Sequence, residues 1–248
     1  MIYWTFAAIL RTYNRLAGHK TTRVGATRLP ATGGAVIAIN HTSYLDFTYI
    51  GMESIKHDNR LIRFMGKVEL KKSLVVRWLM WGCRVIPVDR SAGRDSYVAA
   101  VRELKAGEVV GVYPEATISR SYELKEFKSG AARMALEAGV PIIPAIVWGS
   151  QRIAPKGQPL RLGRTKTPVA VSVGEPIPAE GDAESLTQTL RVAMLALLEE
   201  VKAAYGPHPA GEFWVPAAMG GSAPTLEEAN GIERKEKEAK AAKRALEG

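Results

Sequence analysis

The stretch 39-INHTSYLD-46 holds the residues best suited to chemistry, because it places a histidine directly after a short apolar run and an aspartate five residues later. A carboxylate bonded to one ring nitrogen of His41 would fix its tautomer and leave the other nitrogen free to take a proton. No serine or cysteine lies in a nucleophile-elbow pattern, so the pair would activate a substrate hydroxyl rather than a protein nucleophile. The stretch therefore suggests that His41 and Asp46 form a general-base dyad.

A local interpretation of the same stretch needs no chemistry. Ser43 and Asp46 have the S-x-x-D spacing of a capping box, which would satisfy backbone N–H groups at the start of the following helix. His41 would then be an ordinary loop residue at the end of a strand. Spacing alone favours this structural interpretation, so the choice depends on what the rest of the chain brings to the same place.

The elements that must position these residues predict an α/β fold. Continuous apolar runs are typical of buried strands, and the amphipathic segments between them are typical of helices. We expect a mainly parallel or mixed sheet that is covered by helices. The predicted strands are 35–40, 61–66, 84–88, 108–114, 140–149 and 168–174, and the main predicted helices are 45–56, 73–82, 93–107, 129–139 and 182–205.

Basic side chains follow several of the predicted strands. Each has a simple interpretation as a solvated cation, but α/β sheets bind ligands where their strands end, so the group would form one pocket with His41. The helix that opens at Ser129-Gly130 adds a terminus that attracts anions. Such a pocket suits a phosphate-bearing substrate that also carries a hydroxyl. The basic residues in question are Lys67, Arg90, Arg120 and Lys128.

These stretches together resemble the glycerol-phosphate acyltransferases, specifically the bacterial 1-acyl-glycerol-3-phosphate acyltransferases, from about Ala35 to Gly174. The most specific signal is the family's N-H-x-S-x-x-D motif. It is matched in full by Asn40, His41, Ser43 and Asp46. Three further family motifs have counterparts here. The family's A-K-x-E-L is similar to 66-GKVEL-70, and its G-x-x-x-I-x-R is similar to the segment that ends 86-IPVDR-90. Its V-P-I-I-P is present as 140-VPIIP-144.

The third motif departs from the family pattern. The usual F-P-E-G-T-R-S is 113-YPEATIS-119 here, so Glu115 and Thr117 are kept while Ala116 replaces the glycine. Ile118 replaces the arginine that the family directs at the acceptor phosphate. Two alternatives follow for the acceptor: Arg120 supplies the missing charge, or the head group differs from that of simple lysophosphatidic acid.

The resemblance implies an O-acyltransferase of phospholipid synthesis that needs no cofactor or metal. In it, His41 takes the proton of a lysophospholipid hydroxyl while Asp46 orients the imidazole. Lys67 and Arg90 are expected to hold the acceptor phosphate, with Arg120 as a third cation. The acyl donor is a fatty acyl-CoA or an acyl carrier protein. The acceptor is 1-acyl-glycerol-3-phosphate, acylated at sn-2; glycerol-3-phosphate and larger lysophospholipids remain alternatives.

The N-terminal segment is predicted to be an amphipathic helix that lies in a membrane interface. Its apolar run is about half the roughly 20 residues that a spanning helix needs. The net charge of +9 is concentrated in two segments, residues 1–45, which contain no acidic residue, and residues 60–94, and it favours anionic lipid surfaces. We therefore expect peripheral association with the cytoplasmic face of the membrane, unless the helix packs its apolar stripe on the protein's own core. The residues expected to contact lipid are Trp4, Phe6, Trp78 and Trp81.

Two other classes of function are considered. A non-catalytic lipid-binding protein would explain the altered third motif, but such a protein has no need of a base. Nucleic-acid binding is disfavoured, because aromatic residues are not interleaved with the basic clusters. The single cysteine, Cys83, excludes an intramolecular disulfide.

The chain is expected to divide into three parts. These are an N-terminal helix with a basic linker at 1–28, an acyltransferase domain at 29–215, and a linker with a charged, solvated helical tail at 216–248.

Overall fold

A computed structural model describes residues 2–68, 73–88 and 93–247, and it confirms the predicted α/β class. The strands are β1 (Lys20–Val24), β2 (Ala35–Ile39), β3 (Ile62–Lys67), β4 (Ile86–Val88), β5 (Val109–Val112), β6 (Ile142–Trp148) and β7 (Pro168–Val173). The helices are α1 (Ile2–Ala17), α2 (Asp46–Asp58), α3 (Leu74–Gly82), α4 (Gly93–Lys105), α5 (Gly130–Ala138), α6 (Ala183–Tyr205) and α7 (Leu226–Glu247).

The strands form one sheet in the order β1-β7-β6-β2-β5-β3-β4. The five strands from β6 to β4 in this order run parallel to one another, whereas β7 runs antiparallel to β6. The segments that follow β2, β3, β4, β5 and β6 therefore begin at one edge of the sheet. This edge is where the predicted site residues were expected to gather.

The centre of the sheet is buried on both faces, which explains the uninterrupted apolar runs in its strands. Along β2, Val36 and Ala38 face a core that includes residues of α4, α5 and α6, while Ile37 and Ile39 face a core that includes residues of α2. Full burial of a side chain such as Ile37 contributes about 1.5–3 kcal/mol. The strand that precedes His41 is thus held rigidly from both sides.

Strand β1 was not expected, since 20-KTTRV-24 lies in the segment interpreted as a basic linker. Among the described strands it pairs only with β7, in parallel, and an edge strand of this kind needs no continuous apolar pattern. Its Arg23 forms an ion pair of 3.1 Å with Asp58 at the end of α2.

The C-terminal helix α7 forms as predicted, but the expectation that it is solvated is wrong for its first half. Glu233 is buried and pairs with Lys125, and Glu236 pairs with Arg120 at 2.6 Å. Charged contacts rather than an apolar stripe hold α7 against the protein. A hydrophobic pattern could not reveal them.

Helices α1 and α3 pack together and leave large apolar side chains exposed. Gly82 allows this packing, because a Cβ there would lie 2.2 Å from a carbon of Ile2. Trp4 is 51% exposed, Trp78 52% and Trp81 74%, whereas Phe6 is only partly exposed. Within the three described ranges, no helix combines the length and apolarity that crossing a bilayer requires.

Asn40 joins β2 to β6 just beyond the end of their backbone pairing. Its side-chain amide donates to the Val147 carbonyl at 3.0 Å and accepts from the Val147 N–H at 2.7 Å, in a buried position. We expect Asn40→Ala to lower the free energy of unfolding by about 2–4 kcal/mol, because two buried backbone groups lose their partner. Urea unfolding followed by circular dichroism measures the change.

The matched control is Asn230→Ala, at an exposed position of α7, for which the change is expected to stay within about 0.5 kcal/mol. Equal losses of stability in the two variants would contradict the bridging role of Asn40.

Candidate active site

The site is built around the carboxylate of Asp46, which is fully buried at the first residue of α2. One oxygen, Oδ2, accepts the backbone N–H groups of Thr42 and Ser43 at 2.9 and 2.8 Å and lies 3.1 Å from Nδ1 of His41. The other oxygen, Oδ1, accepts the Ser150 hydroxyl at 2.5 Å. Four hydrogen bonds compensate the cost of burying this charge.

The orientation of His41 follows from this carboxylate. An ionised Asp46 can only accept, so Nδ1 carries the proton and Nε2 keeps its lone pair. The His41 side chain is 19% exposed, so only a small part of its ring is accessible to a substrate. Tyr113 stacks on the imidazole with a centroid distance of 3.8 Å and an interplanar angle of 15°. The arrangement presents one unprotonated nitrogen in a fixed direction.

The third motif supports the same histidine through its backbone. Buried Glu115 accepts the His41 N–H at 2.7 Å and the Lys125 N–H at 3.1 Å. The N–H of Ser119 donates to the His41 carbonyl at 2.7 Å. Burial raises the pKa of Glu115 to about 7, although its hydrogen bonds with the His41 and Lys125 N–H groups act to lower it. The loop after β5 therefore holds the loop after β2 from both sides of residue 41.

The structural interpretation of Asp46 as a capping residue holds in part. Asp46 accepts the Ser43 N–H, which is half of a capping box. The other half is missing, because the Ser43 hydroxyl donates to the Ala154 carbonyl at 3.0 Å and accepts the Leu45 N–H. The same carboxylate that shapes this turn also contacts the imidazole of His41.

The remaining predicted residues lie at the same edge of the sheet but make contacts away from the imidazole. Thr117 donates its hydroxyl to Glu233 on α7 at 2.9 Å. Lys128 is exposed at the start of α5, and its N–H bonds the Pro114 carbonyl at 2.8 Å.

The cations predicted for phosphate binding fall into three cases. Lys67 ends β3 with an exposed side chain. Arg90 lies outside the described residues. Arg120 is 13% exposed and is held by Glu236, so it is not a free cation beside His41. Ile118, at the position of the family arginine, is buried.

Sequence reasoning missed several groups that complete the site. Ser150 lies two residues after the end of β6, and the parallel pairing of β6 with β2, which no local pattern reveals, places it beside residue 41. Tyr113 was visible as the aromatic position of the third motif. Lys125 and Glu233 had no local signal, since they are joined across 108 residues of chain.

The chain is similar to several known proteins. The model of the family described as Acyltransferase matches residues 20–148, just over half of the chain. A 1-acyl-sn-glycerol-3-phosphate acyltransferase of Bacillus subtilis is 32% identical over 122 residues, which are 49% of this chain and 59% of the relative. One of Borreliella burgdorferi is 27% identical over 201 residues, which are 75% of each chain.

A crystal structure shares the fold. The 1-acyl-sn-glycerophosphate (LPA) acyltransferase PlsC from Thermotoga maritima superposes with a TM-score of 0.62 at 22% identity, covering 80% of this chain and 82% of that one. The chain spans 59% and 40% of the lengths of two of the relatives it matches, from Bacillus subtilis and Brassica napus. The family match, the fold and the intact N-H-x-S-x-x-D motif agree, and the chain belongs to the acyltransferase family.

Proposed function

We propose that this protein transfers a fatty acyl group from acyl-CoA, or from an acyl carrier protein, to the free sn-2 hydroxyl of 1-acyl-sn-glycerol-3-phosphate. The relatives that share its family carry that name. The observation that carries the proposal is the buried Asp46 carboxylate 3.1 Å from Nδ1 of His41. A module that only binds lipid has no use for a base held in one tautomer at a substrate-facing edge.

In the proposed reaction, Nε2 of His41 takes the proton of the acceptor hydroxyl as its oxygen attacks the thioester carbonyl carbon. The imidazolium that forms is stabilised by Asp46. The tetrahedral intermediate collapses, the carbon–sulfur bond breaks, and His41 returns the proton to the leaving thiolate. The ester and the free thiol are the products. Tyr113 stays neutral during this proton transfer, because burial, and to a smaller extent the nearby Asp46 carboxylate, raise the pKa of its hydroxyl well above 10.

For the acceptor phosphate we propose Lys67 at the end of β3 together with Arg90. Lys67 pairs in register with Val88 of β4, two residues before Arg90 along the chain. Arg120 is a weaker choice than the sequence suggested, because Glu236 engages its guanidinium. Buried Ile118 cannot replace the family arginine. The acceptor's head group therefore has to be tested with glycerol-3-phosphate and larger lysophospholipids as well.

We further propose that the protein is peripheral to the cytoplasmic face of the membrane and docks through α1 and α3. On α3, Leu74, Trp78 and Trp81 recur at helical spacing and are each at least half exposed. Exposed Arg77 on the same helix suits anionic head groups. The partly buried stripe residue Phe6 contributes less than Trp4.

The first prediction concerns the base. His41→Ala is expected to reduce the turnover number by about 10²–10⁴, because the hydroxyl loses its proton acceptor. The assay is release of free CoA thiol from palmitoyl-CoA with 1-acyl-sn-glycerol-3-phosphate. The control is His57→Gln, a histidine in the last turn of the same helix that begins at Asp46, which should retain wild-type activity. Full activity in folded His41→Ala would refute the mechanism.

A second prediction concerns Glu115. Its pKa is raised from 4.5 to about 7, so its contribution to stability is complete below about pH 4.5 and is lost as the pH rises towards 7. The stability of wild type minus that of Glu115→Gln should therefore fall by up to about 3 kcal/mol between pH 4.5 and 7.5. Urea unfolding of both proteins across this range measures it; a pH-independent difference would be inconsistent with a buried, titrating carboxyl group.

A third prediction concerns the membrane surface. The double variant Trp78→Ala/Trp81→Ala should weaken binding to anionic phosphatidylglycerol vesicles by about tenfold, since two exposed indoles are lost. Vesicle co-sedimentation measures the partition. The control is Val98→Ala/Val192→Ala, at exposed apolar positions of α4 and α6. Equal partition of both double variants would exclude α3 as the docking surface.

A further inference from the structure

A second feature lies beside α7 and is not used by the acyl-transfer chemistry. It is a cleft of about 700 Å³ between the third-motif loop, the turn around Gly157, the segment 213–224 and one face of α7. We call it the α7 cleft. Arg120 lines the cleft on the side of the third-motif loop. The preceding residue, Ser119, donates its N–H to the His41 carbonyl at 2.7 Å. The cleft therefore lies next to the catalytic loop without containing the dyad.

Positive charge dominates the lining of the α7 cleft. It has one lining carboxylate, Glu228, and four basic side chains, Arg120, Lys156, Arg234 and Lys235. Two of the four come from the third-motif loop and the 156–158 turn and two from α7, so the site exists only when α7 is docked. Such a concentration of cations in a concave surface favours a ligand with several negative charges.

A carboxylate of the chain, Glu236, already pairs with two of these cations. Glu236 bridges Arg120 at 2.6 Å and Lys156 at 3.3 Å. The hydrogen bond from Arg120 lowers the pKa of Glu236 to about 2, and Lys156 adds to this effect, although burial acts to raise the pKa. Both cations are largely buried, with side-chain exposures of 13% and 19%.

One donor in this arrangement is unsatisfied. Among the described residues, Nη1 of Arg120 has no hydrogen-bond partner although it is shielded from solvent. A buried guanidinium nitrogen without an acceptor is costly, and its presence calls for an explanation. Because Nη1 has almost no solvent-accessible surface, a phosphate in the cleft reaches it only after the Arg120 side chain turns; a guanidinium is well suited to bind phosphate through two nitrogens.

Aromatic rings complete the cleft. Phe213 and Tyr122 line it, and the Arg161 guanidinium lies 4.2 Å from the Phe213 ring centroid. Nucleobases stack on aromatic and guanidinium planes, and Phe213 with Arg161 offers such a surface, whereas Tyr122 is only 3% exposed. A single phosphate would contact only some of the four cations and no aromatic ring. A nucleotide with separated phosphates could contact all four cations and stack its base on the ring.

We propose that the α7 cleft binds the 3′-phosphate and the diphosphate of the adenosine end of acyl-CoA. The inference rests on the proposed function, in which the donor is a thioester of CoA. With the nucleotide in the cleft, the pantetheine arm runs along the third-motif loop towards His41. The same cations would otherwise serve the phosphate of the acceptor, and the experiment separates these two sources.

The test is isothermal titration calorimetry of the full chain with adenosine 3′,5′-bisphosphate, a fragment of CoA that has neither thiol nor acyl group. Arg234→Gln/Lys235→Gln should weaken binding by about tenfold or more, because two phosphate-facing charges are removed. The matched control, Arg102→Gln/Lys105→Gln at exposed positions of α4, should bind within about twofold of wild type. Circular dichroism checks that α7 remains helical, and Lys156→Gln repeats the test outside α7.

The alternatives give different results. If the cleft variants lose affinity for glycerol-3-phosphate instead, the site serves the acceptor and the nucleotide assignment is overturned. Equal nucleotide affinity in all variants also overturns it. Because this binding assay needs no turnover, an inactive protein that still binds the bisphosphate through Arg234 and Lys235 would refute the acyl-transfer proposal and leave the cleft assignment standing.

Discussion

The hydrogen bonds to the buried Asp46 carboxylate are the interaction on which the rest of the site depends. A charge with no solvent contact is tolerated only where donors surround it, and here two backbone N–H groups, a hydroxyl and an imidazole do so. Those donors come from the loop after β2 and, through Ser150, from the segment after β6. The carboxylate thereby fixes the turn, the start of α2 and the tautomer of His41 at once. The shape of the turn and the proposed catalytic role of His41 both depend on this one buried charge.

The sheet makes this arrangement possible. Strands β6, β2 and β5 are adjacent and parallel, so the loops that follow them begin side by side. The Asn40 amide joins β2 to β6 through hydrogen bonds with the Val147 backbone. The Glu115 carboxylate joins the loop after β5 to the loop after β2 by accepting the His41 N–H. Glu115 is held where burial disfavours its charge, and carboxyl groups with a raised pKa are common at functional sites. Rigid strands, whose loops are cross-linked by side chains, hold the His41 imidazole in place without help from a substrate.

The sequence was sufficient for the parts that depend on local pattern. The apolar strands, the motif N-H-x-S-x-x-D and the helix at Ser129-Gly130 are all signals within about ten residues, and they predicted the fold and the contact of His41 with Asp46. The parts that failed depend on distant pairing. Strand β1 is polar because it lies at the sheet edge, and α7 docks through Glu233 and Glu236 onto residues more than 100 positions earlier. No composition or periodicity encodes such ionic contacts, so Arg120 was taken for a free cation.

The central claim is that Asp46 holds His41 with the proton on Nδ1 and a free lone pair on Nε2. Nitrogen-15 NMR of the histidine side chains at neutral pH or above tests it directly. The account predicts a protonated Nδ1 and an unprotonated Nε2 for His41, with this preference lost in Asp46→Asn. A His41 ring protonated on Nε2 with Nδ1 bare, or a tautomer unchanged in Asp46→Asn, would contradict the account.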